Sequence, residues 1–300
     1  MAHFGIVIHG GAGEITRDQI APAQYEAYME ASRLALDTAY KVLWEGGAAA
    51  EAVCAAVEWM ENCPLFNAGK GSVLNRDGKV EMDAAIMDGA SLSAGAVAGV
   101  SLVKNPVKLA MALTRQSPHV LLIGPQADEY ARQIGLELEN EEYFILPNRL
   151  EQLRQTPDLR LDHDHKFGTV GAVALDKHGN LAAATSTGGM TGKLPGRVGD
   201  SPLIGAGTYA HNKSCAVSCT GHGEFFIRHV VAHSVASRME LIGEPLSKAA
   251  DHLIHHTLVE AGGRGGLIAI DSNCDVAMPY NTAGMFRALR LSNGDFFTGV

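Results

Sequence analysis

The chain has 300 residues, 46% of them hydrophobic, with 24 basic and 33 acidic side chains giving a net charge of −9. That composition suits a soluble globule of one large domain or two modest ones, and its negative balance disfavours nucleic-acid phosphates as a partner. No apolar run approaches the ~18 residues of a membrane span, and MAHFGIVIHGG lacks a basic segment ahead of an apolar one; no membrane is expected, and the cytoplasm is the expected compartment.

Residues 4–8 form an apolar strand candidate ending in the glycine turn HGGAG at 9–13. Residues 24–45 then repeat with helical period. Glu26, Glu30, Arg33, Asp37 and Lys41 mark a polar face, and Tyr25, Met29, Leu36, Tyr40 and Leu43 an apolar one. Gly46-Gly47 ends that helix. A second helix is predicted over 49–62 with Val53, Val57 and Met60 inward. Glycine-rich, mostly extended chain follows, and strand and helix candidates alternate to about Leu136. Residues 138–167 are polar, charged and weakly periodic; the part from about 150 to 168 reads as an exposed, mobile linker.

At Gly168 the character changes to a continuous small and apolar run, as in a strand covered on both faces. Later helices are expected over 224–242 and 247–261, and closing strands over 266–270, 276–280 and 285–291. There is no solenoid-period repeat, and strands flanked by helices imply a layered protein of mixed α and β structure. The five cysteines (Cys54, Cys63, Cys215, Cys219 and Cys274) are odd in number and never form CxxC, so free thiols in a reducing compartment are expected.

Asp176-Lys-His-Gly-Asn180 is a turn between two strand candidates. A hairpin centred near His178 places Thr169 and Thr187 symmetrically, as cross-strand neighbours with Cα atoms about 4.5–5.5 Å apart. An internal threonine has no base of its own. An N-terminal threonine does: its α-amine, with a pKa of about 7.7–8, is suited to general-base work at neutral pH. Gly168 lacks a Cβ, so the peptide before Thr169 can be held in a conformation other residues resist. Thr169 Oγ would attack the Gly168 carbonyl, the acyl group would pass from nitrogen to oxygen, and water would release the ester. Taken alone, Gly-Thr ahead of an apolar strand reads more readily as an ordinary half-buried threonine; the rest of the chain reverses that.

Other patterns carry less. Gly205-Ala-Gly-Thr-Tyr-Ala210 matches a dinucleotide-binding pattern, but turn and strand residues follow it where a helix is needed. Gly69-Lys-Gly-Ser72 resembles the end of a phosphate loop whose first glycine is replaced by Pro64. Asp162-His-Asp-His165 reads as a solvated linker end before a metal site. His252, His255 and His256 have no carboxylate or cysteine frame, and GxSxG and HExxH are absent.

HGGAG at 9–13, PLFNAGKGSVLN at 64–75, MDAAIMDG at 82–89, GTVGAVALD at 168–176, GNLAAATSTGGMTGKLPGRVGDSPLIGAGTYA at 179–210 and CTGHGEFFIR at 219–228 lie in order along nearly the whole chain. Together they resemble the plant-type asparaginase/isoaspartyl aminopeptidase family of N-terminal-nucleophile hydrolases. The resemblance implies an α+β fold, a four-layer αββα sandwich over residues 1–300, cut into a 1–168 α chain and a 169–300 β chain. It further implies hydrolysis of L-asparagine and β-aspartyl (isoaspartyl) dipeptides, with no catalytic cofactor.

By the same resemblance, Thr169 is the nucleophile freed by cleavage after Gly168, and Thr187 tunes it. Thr220 Oγ and the Gly221 N–H form an oxyanion hole near a helix start. Arg197 clamps the substrate α-carboxylate with its planar fork, while Asp200 and the Gly223 carbonyl receive the α-ammonium. Asn67 lies beside the nucleophile. On sequence alone, a local i, i+3 ion pair is the lesser alternative for Arg197 and Asp200, which lie in a Gly/Pro-rich loop outside any helix. Backbone carbonyls of Met60, Glu61, Cys63, Phe66, Ala68 and Lys70 are the implied ligands of a structural sodium ion, and the mature form is implied to be an (αβ)2 homo-oligomer. A glycosylasparaginase-like amidase fits less well, because its secretory signal and disulfides are missing. A non-catalytic binding protein of the same fold is the remaining alternative.

Overall fold

The computed structural model describes residues 3–14, 16, 18, 20–156 and 168–300. In chain order the first half runs β1 (Gly5–Gly13), α1 (Pro22–Trp44), α2 (Ala49–Asn62), β2 (Met82–Asp88), β3 (Ala94–Val100), α3 (Pro106–Gln116), β4 (Leu121–Ile123), α4 (Gly124–Gln133), α5 (Glu141–Phe144) and α6 (Pro147–Arg154). The second half runs β5 (Val170–Leu175), β6 (Leu181–Thr187), β7 (Thr208–Ala210), β8 (Cys215–Gly221), α7 (Gly223–His229), α8 (Val231–Ile242), α9 (Leu246–His252), α10 (Leu258–Ala261), β9 (Gly265–Asp271), β10 (Val276–Ala277), β11 (Gly284–Leu291) and β12 (Phe296–Gly299). A π-helical turn, Leu253–Thr257, joins α9 to α10. Content is mixed α and β, as expected from the sequence. No helix among the described residues is long and apolar enough to cross a membrane.

Eight strands form one sheet in the order β12-β11-β1-β5-β6-β2-β3-β4, and four form another in the order β10-β9-β8-β7. Strand alternation assigns each residue to a face. On one face of the larger sheet, Ile6, Ile8, Val170, Ala172 and Ala184 pack with Leu36 and Leu43 of α1 and Val53, Val57 and Met60 of α2. On its other face Val7, Val173, Leu175 and Ala183 meet Ala216, Ile268 and Ile270 of the smaller sheet. The remaining face of the smaller sheet, Cys215, Val217 and Cys219, is covered by Val231, Val235, Leu246, Ile254 and Leu258. Alanine and glycine dominate β5 and β6 because both of their faces are covered at close range.

The hairpin between β5 and β6 turns where its sequence indicates. Asp176 N–H donates to the Asn180 carbonyl (2.9 Å), Gly179 takes a positive φ of 81°, and Asp176 Oδ1 accepts from the His178 and Asn180 N–H groups. Leu175 pairs with Leu181 and Val170 with Ser186, so Thr169 and Thr187 fall next in the same register.

Three segments depart from the sequence expectations. The helix expected over 224–242 is broken at Val230, which is left-handed (φ 48°, ψ 49°). Two backbone N–H groups at the start of α8, those of Ala232 and His233, donate to the Ala206 and Gly205 carbonyls (3.1 and 2.8 Å). A tertiary contact thus re-caps α8, and no local signal announces it. The linker expected from about residue 150 is helical as far as Arg154. Buried Arg149 anchors α6, its Nε donating to the Gly71 carbonyl (2.7 Å); residues 157–167, including the Asp162–His165 run, lie outside the described residues. The strand expected over 276–280 is only two residues long, and β12 was not anticipated. All five cysteines are free thiols.

Candidate active site

Four strands end together on the inner side of the larger sheet. β1 delivers Gly11 and Ala12, β5 begins after Thr169, β6 ends at Thr187, and β8 ends at Thr220 and Gly221. A cavity of about 120 Å³ opens where they converge, lined by Asn67, Gly168, Thr169, Thr187, Arg197, Asp200 and Gly221 among others.

Thr169 is buried, and its Oγ lies 3.4 Å from Ser201 Oγ. Thr187 Oγ accepts from the Gly189 N–H (2.9 Å). A hydroxyl that accepts from a backbone N–H keeps its own proton to donate, so the Thr187 proton is free for a partner in the cavity. Thr220 Oγ likewise accepts from the Ala12 N–H (3.3 Å), leaving its proton free. A Cβ at Gly168 would lie 2.5 Å from Thr220 Oγ. The residue preceding Thr169 therefore sits against the hydroxyl expected to stabilise an oxyanion.

On the other side of Gly168 is Gly11, with φ +110° and a Cβ position 2.5 Å from the Gly168 nitrogen. Only glycine serves there, for both conformation and space. The HGGAG segment, expected as a glycine turn, is instead the bulged end of β1 and contributes a wall of the site.

Asn67 is held rigidly. Its Nδ2 donates to the Gly189 carbonyl (2.8 Å), and its Oδ1 accepts from the Val73 N–H (2.9 Å). Its carbonyl also accepts from the Gly188 N–H (3.1 Å). These bonds tie the loop after α2 to the end of β6 beside Thr187.

The head-group side differs in one respect from the sequence reading. Arg197 does not form the local pair with Asp200; its fork is bidentate on Glu224, with Nε–Oε1 and Nη2–Oε2 both at 2.9 Å. Burial raises the Glu224 carboxyl, but the Arg197 bonds outweigh it and hold the pKa below the usual value. Asp200 is 4% exposed, and its Oδ2 has no hydrogen-bond partner among the described residues. Burial pushes its pKa from 3.8 up to about 7, against the opposing pull of Arg197. A buried carboxylate lacking a partner is costly, and a ligand ammonium would relieve that cost. Gly223 lines the same spot; a Cβ there would lie 2.7 Å from Asp200 Oδ1 and 3.0 Å from Arg197 Nη2.

Two charged neighbours escaped the sequence reading. Asp83 pairs in register with Thr187 and is buried, its Oδ1 accepting from the Gly99 N–H (2.9 Å). Burial raises its pKa, opposed chiefly by Lys193. Lys193 is buried too and donates to the Glu81 carbonyl (2.6 Å); burial lowers its pKa, and Asp83 and Glu81 raise it. An aspartate in an alanine-rich strand was the available signal for Asp83. A lysine in a Gly/Pro loop gives none.

The loop after α2 winds tightly around backbone oxygens. Gly69 turns with φ +52° against the Glu61 carbonyl, and Gly71 lies against that of Phe66; a Cβ at either would collide with the oxygen. Lys70 Nζ points away, over the Tyr143 ring at 4.9 Å. Of the carbonyls implied as cation ligands, those of Met60 and Ala68 accept the Cys63 and Gly71 N–H groups (3.2 and 3.1 Å).

The sequence signature of the asparaginase family matches residues 2–298. The chain is 50% identical to the isoaspartyl peptidase of Escherichia coli (strain K12), over 98% of this chain and 95% of that protein. It is 42% identical to the human isoaspartyl peptidase/L-asparaginase, over 93% and 91% of the two chains. It is 38% identical to a probable isoaspartyl peptidase/L-asparaginase 2 of Arabidopsis thaliana, over 98% of each. With a match over almost its whole length and these levels of identity, the chain belongs to the asparaginase family.

Proposed function

We propose that the chain is a self-processing amidohydrolase that splits between Gly168 and Thr169 and then hydrolyses L-asparagine and β-aspartyl dipeptides. The single observation that carries the reading is that Thr169 and Thr187 line one small cavity, with Gly168 wedged between Gly11 and Thr220 Oγ. The names of the relatives, isoaspartyl peptidase and isoaspartyl peptidase/L-asparaginase, agree with it.

In the first reaction Thr169 Oγ attacks the Gly168 carbonyl. The Thr220 hydroxyl stabilises the oxyanion, the peptide nitrogen leaves as the Thr169 α-amine, and water hydrolyses the resulting ester. In turnover the α-amine takes the proton from Thr169 Oγ as that oxygen attacks the side-chain amide carbon. Thr220 Oγ and the Gly221 N–H receive the negative charge, and Thr187 and Asn67 hold the nucleophile's surroundings. The amine or ammonia leaves with a proton, and water releases aspartate.

Arg197 binds the α-carboxylate, exchanging part of its pairing with Glu224 for the substrate. Asp200 and the Gly223 carbonyl bind the α-ammonium. The free Asp200 Oδ2 supports this part of the reading, because it supplies the acceptor an ammonium requires. The packing faces support a four-layer αββα sandwich in which residues 1–168 and 169–300 form one domain, since both halves contribute to the clusters on the two faces of the larger sheet. Sodium held by the carbonyls of Met60, Glu61, Cys63, Phe66, Ala68 and Lys70 would brace the loop that carries Asn67. A cytoplasmic (αβ)2 homo-oligomer completes the proposal.

The test is product formation by the purified chain and by its Thr169→Ala variant. Aspartate release from L-asparagine and β-aspartyl dipeptides by the parent, abolished in the variant, is expected. Hydrolysis surviving in Thr169→Ala contradicts the assignment.

A further inference from the structure

Beneath the threonines lies a second polar layer that the reaction above does not use. Along the inner face the strands pass from apolar core, through this layer, to the threonine end. β1 passes from Val7 to His9 and then, across a bulge, to Ala12; the β5 strand, read backwards, from Val173 to Gly171 to Thr169; β6 from Ala183 to Thr185 to Thr187; and β8 from Ala216 to Ser218 to Thr220. An apolar layer would cost less to bury. Instead His9, Thr185, Thr208 and Ser218 are all fully buried.

They form one continuous chain of hydrogen bonds. His9 Nε2 lies 2.9 Å from Ser218 Oγ. Ser218 Oγ lies 2.8 Å from Thr185 Oγ, which lies 2.6 Å from Thr208 Oγ. Thr208 Oγ lies 3.0 Å from the Ser201 carbonyl. Thr208 Oγ has one proton and two acceptors within reach, the Ser201 carbonyl and Thr185 Oγ. Thr185 Oγ in turn lies 3.4 Å from the Gly207 carbonyl, and either Thr185 or Ser218 can donate in the bond between them. His9 Nδ1 has no hydrogen-bond partner among the described residues. Burial lowers the His9 pKa to about 3, with the Thr169 backbone opposing the shift, so the ring is neutral. Gly171 makes room for the layer: a Cβ there would collide with both His9 Nε2 and Ser218 Oγ.

The chain ends on Ser201, whose hydroxyl lies 3.4 Å from Thr169 Oγ and whose neighbour is Asp200. We infer that His9, Ser218, Thr185 and Thr208 form a positioning network that fixes the Ser201 carbonyl and, through the Ser201 hydroxyl, the orientation of Thr169 Oγ. The inference rests on Thr169 being the nucleophile. None of the four touches the reacting atoms: Thr208 acts through Ser201, and His9 also meets the Thr169 backbone.

A double-mutant cycle on Thr208 and Ser201 tests it, read as kcat at saturating L-asparagine and as the rate of chain splitting. Thr208→Val removes the hydroxyl at constant shape. It should lower kcat by roughly tenfold, within the ~100-fold that a misplacement of about 1 Å can cost, with KM changed less. Thr208→Ser should restore kcat. Adding Thr208→Val to Ser201→Ala should cost nothing further, because the network acts through the hydroxyl already removed. Unchanged kcat in Thr208→Val, equal loss in Thr208→Ser, or full additivity in the double variant overturns the inference; a structural role alone would lower Tm and leave the cycle additive. If Thr208→Val does not fold, Thr185→Val takes its place in the same cycle, with the same outcomes deciding. A parent chain that neither splits nor hydrolyses would overturn the activity itself, which separates that failure from this one.

Discussion

Replacing Asp200 by asparagine should stabilise the unliganded protein increasingly as pH rises. In the fold its pKa is raised from 3.8 to about 7 by burial. A carboxyl with a raised folded pKa supports stability fully below its unfolded value and loses that contribution as pH climbs to the folded value. The penalty therefore grows between pH 3.8 and about 7 and is complete above that. At 1.36 kcal/mol per pH unit the gap corresponds to on the order of 4 kcal/mol, or ~8 °C in Tm at about 2 °C per kcal/mol for a chain of this size. The assay is thermal unfolding from pH 4 to 8 of Thr169→Ala and of Thr169→Ala/Asp200→Asn, so that splitting does not intervene. The two curves should nearly coincide at pH 4 and separate progressively, with the asparagine variant the more stable. L-Aspartate should narrow the gap by stabilising only the protein that retains Asp200, because its ammonium restores a partner to the carboxylate. Parallel curves across the range would refute the reasoning that Asp200 is held at a destabilised, ligand-ready site.

Other perturbations follow from the same geometry. Gly11→Ala should leave the chain unsplit on a denaturing gel, since its φ of +110° and the 2.5 Å approach to the Gly168 nitrogen leave no room for a methyl group; a normal splitting rate would show that Gly168 is not held by β1. Arg197→Lys keeps the charge but loses the fork, so KM for L-asparagine should rise by roughly tenfold, about 1.4 kcal/mol of binding, with kcat affected less. Unchanged KM would remove Arg197 from the head-group site. Exchanging sodium for choline in the buffer should lower Tm and slow turnover if the loop after α2 holds a cation, and identical melting curves in both salts would remove the ion from the account.

Much of the site was legible in short-range pattern. The turn at 176–180 set the pairing of Thr169 with Thr187, because a hairpin's register follows from its centre, and the observed pairs Val170–Ser186 and Leu175–Leu181 obey it. Helix α2 was legible because Val53, Val57 and Met60 repeat at helical spacing. The assignments of Thr220, Arg197, Asp200 and Asn67 came from resemblance, not periodicity, and no local rule would have singled them out. Glu224 was invisible as the partner of Arg197, being 27 residues away in the sequence. The network from His9 to Ser201 requires knowing which faces of two sheets meet, and single-strand patterns carry no such information. Burial of Asp83 and Lys193 likewise depends on packing across strands and loops.

The claim on which all of this turns is that Thr169 becomes an N-terminal residue. Intact mass and N-terminal sequencing of the purified chain over time test it most directly. The account predicts two fragments divided between Gly168 and Thr169, the smaller beginning Thr-Val-Gly-Ala, with hydrolysis of L-asparagine appearing in step with them. A chain that remains whole while hydrolysing L-asparagine would contradict it.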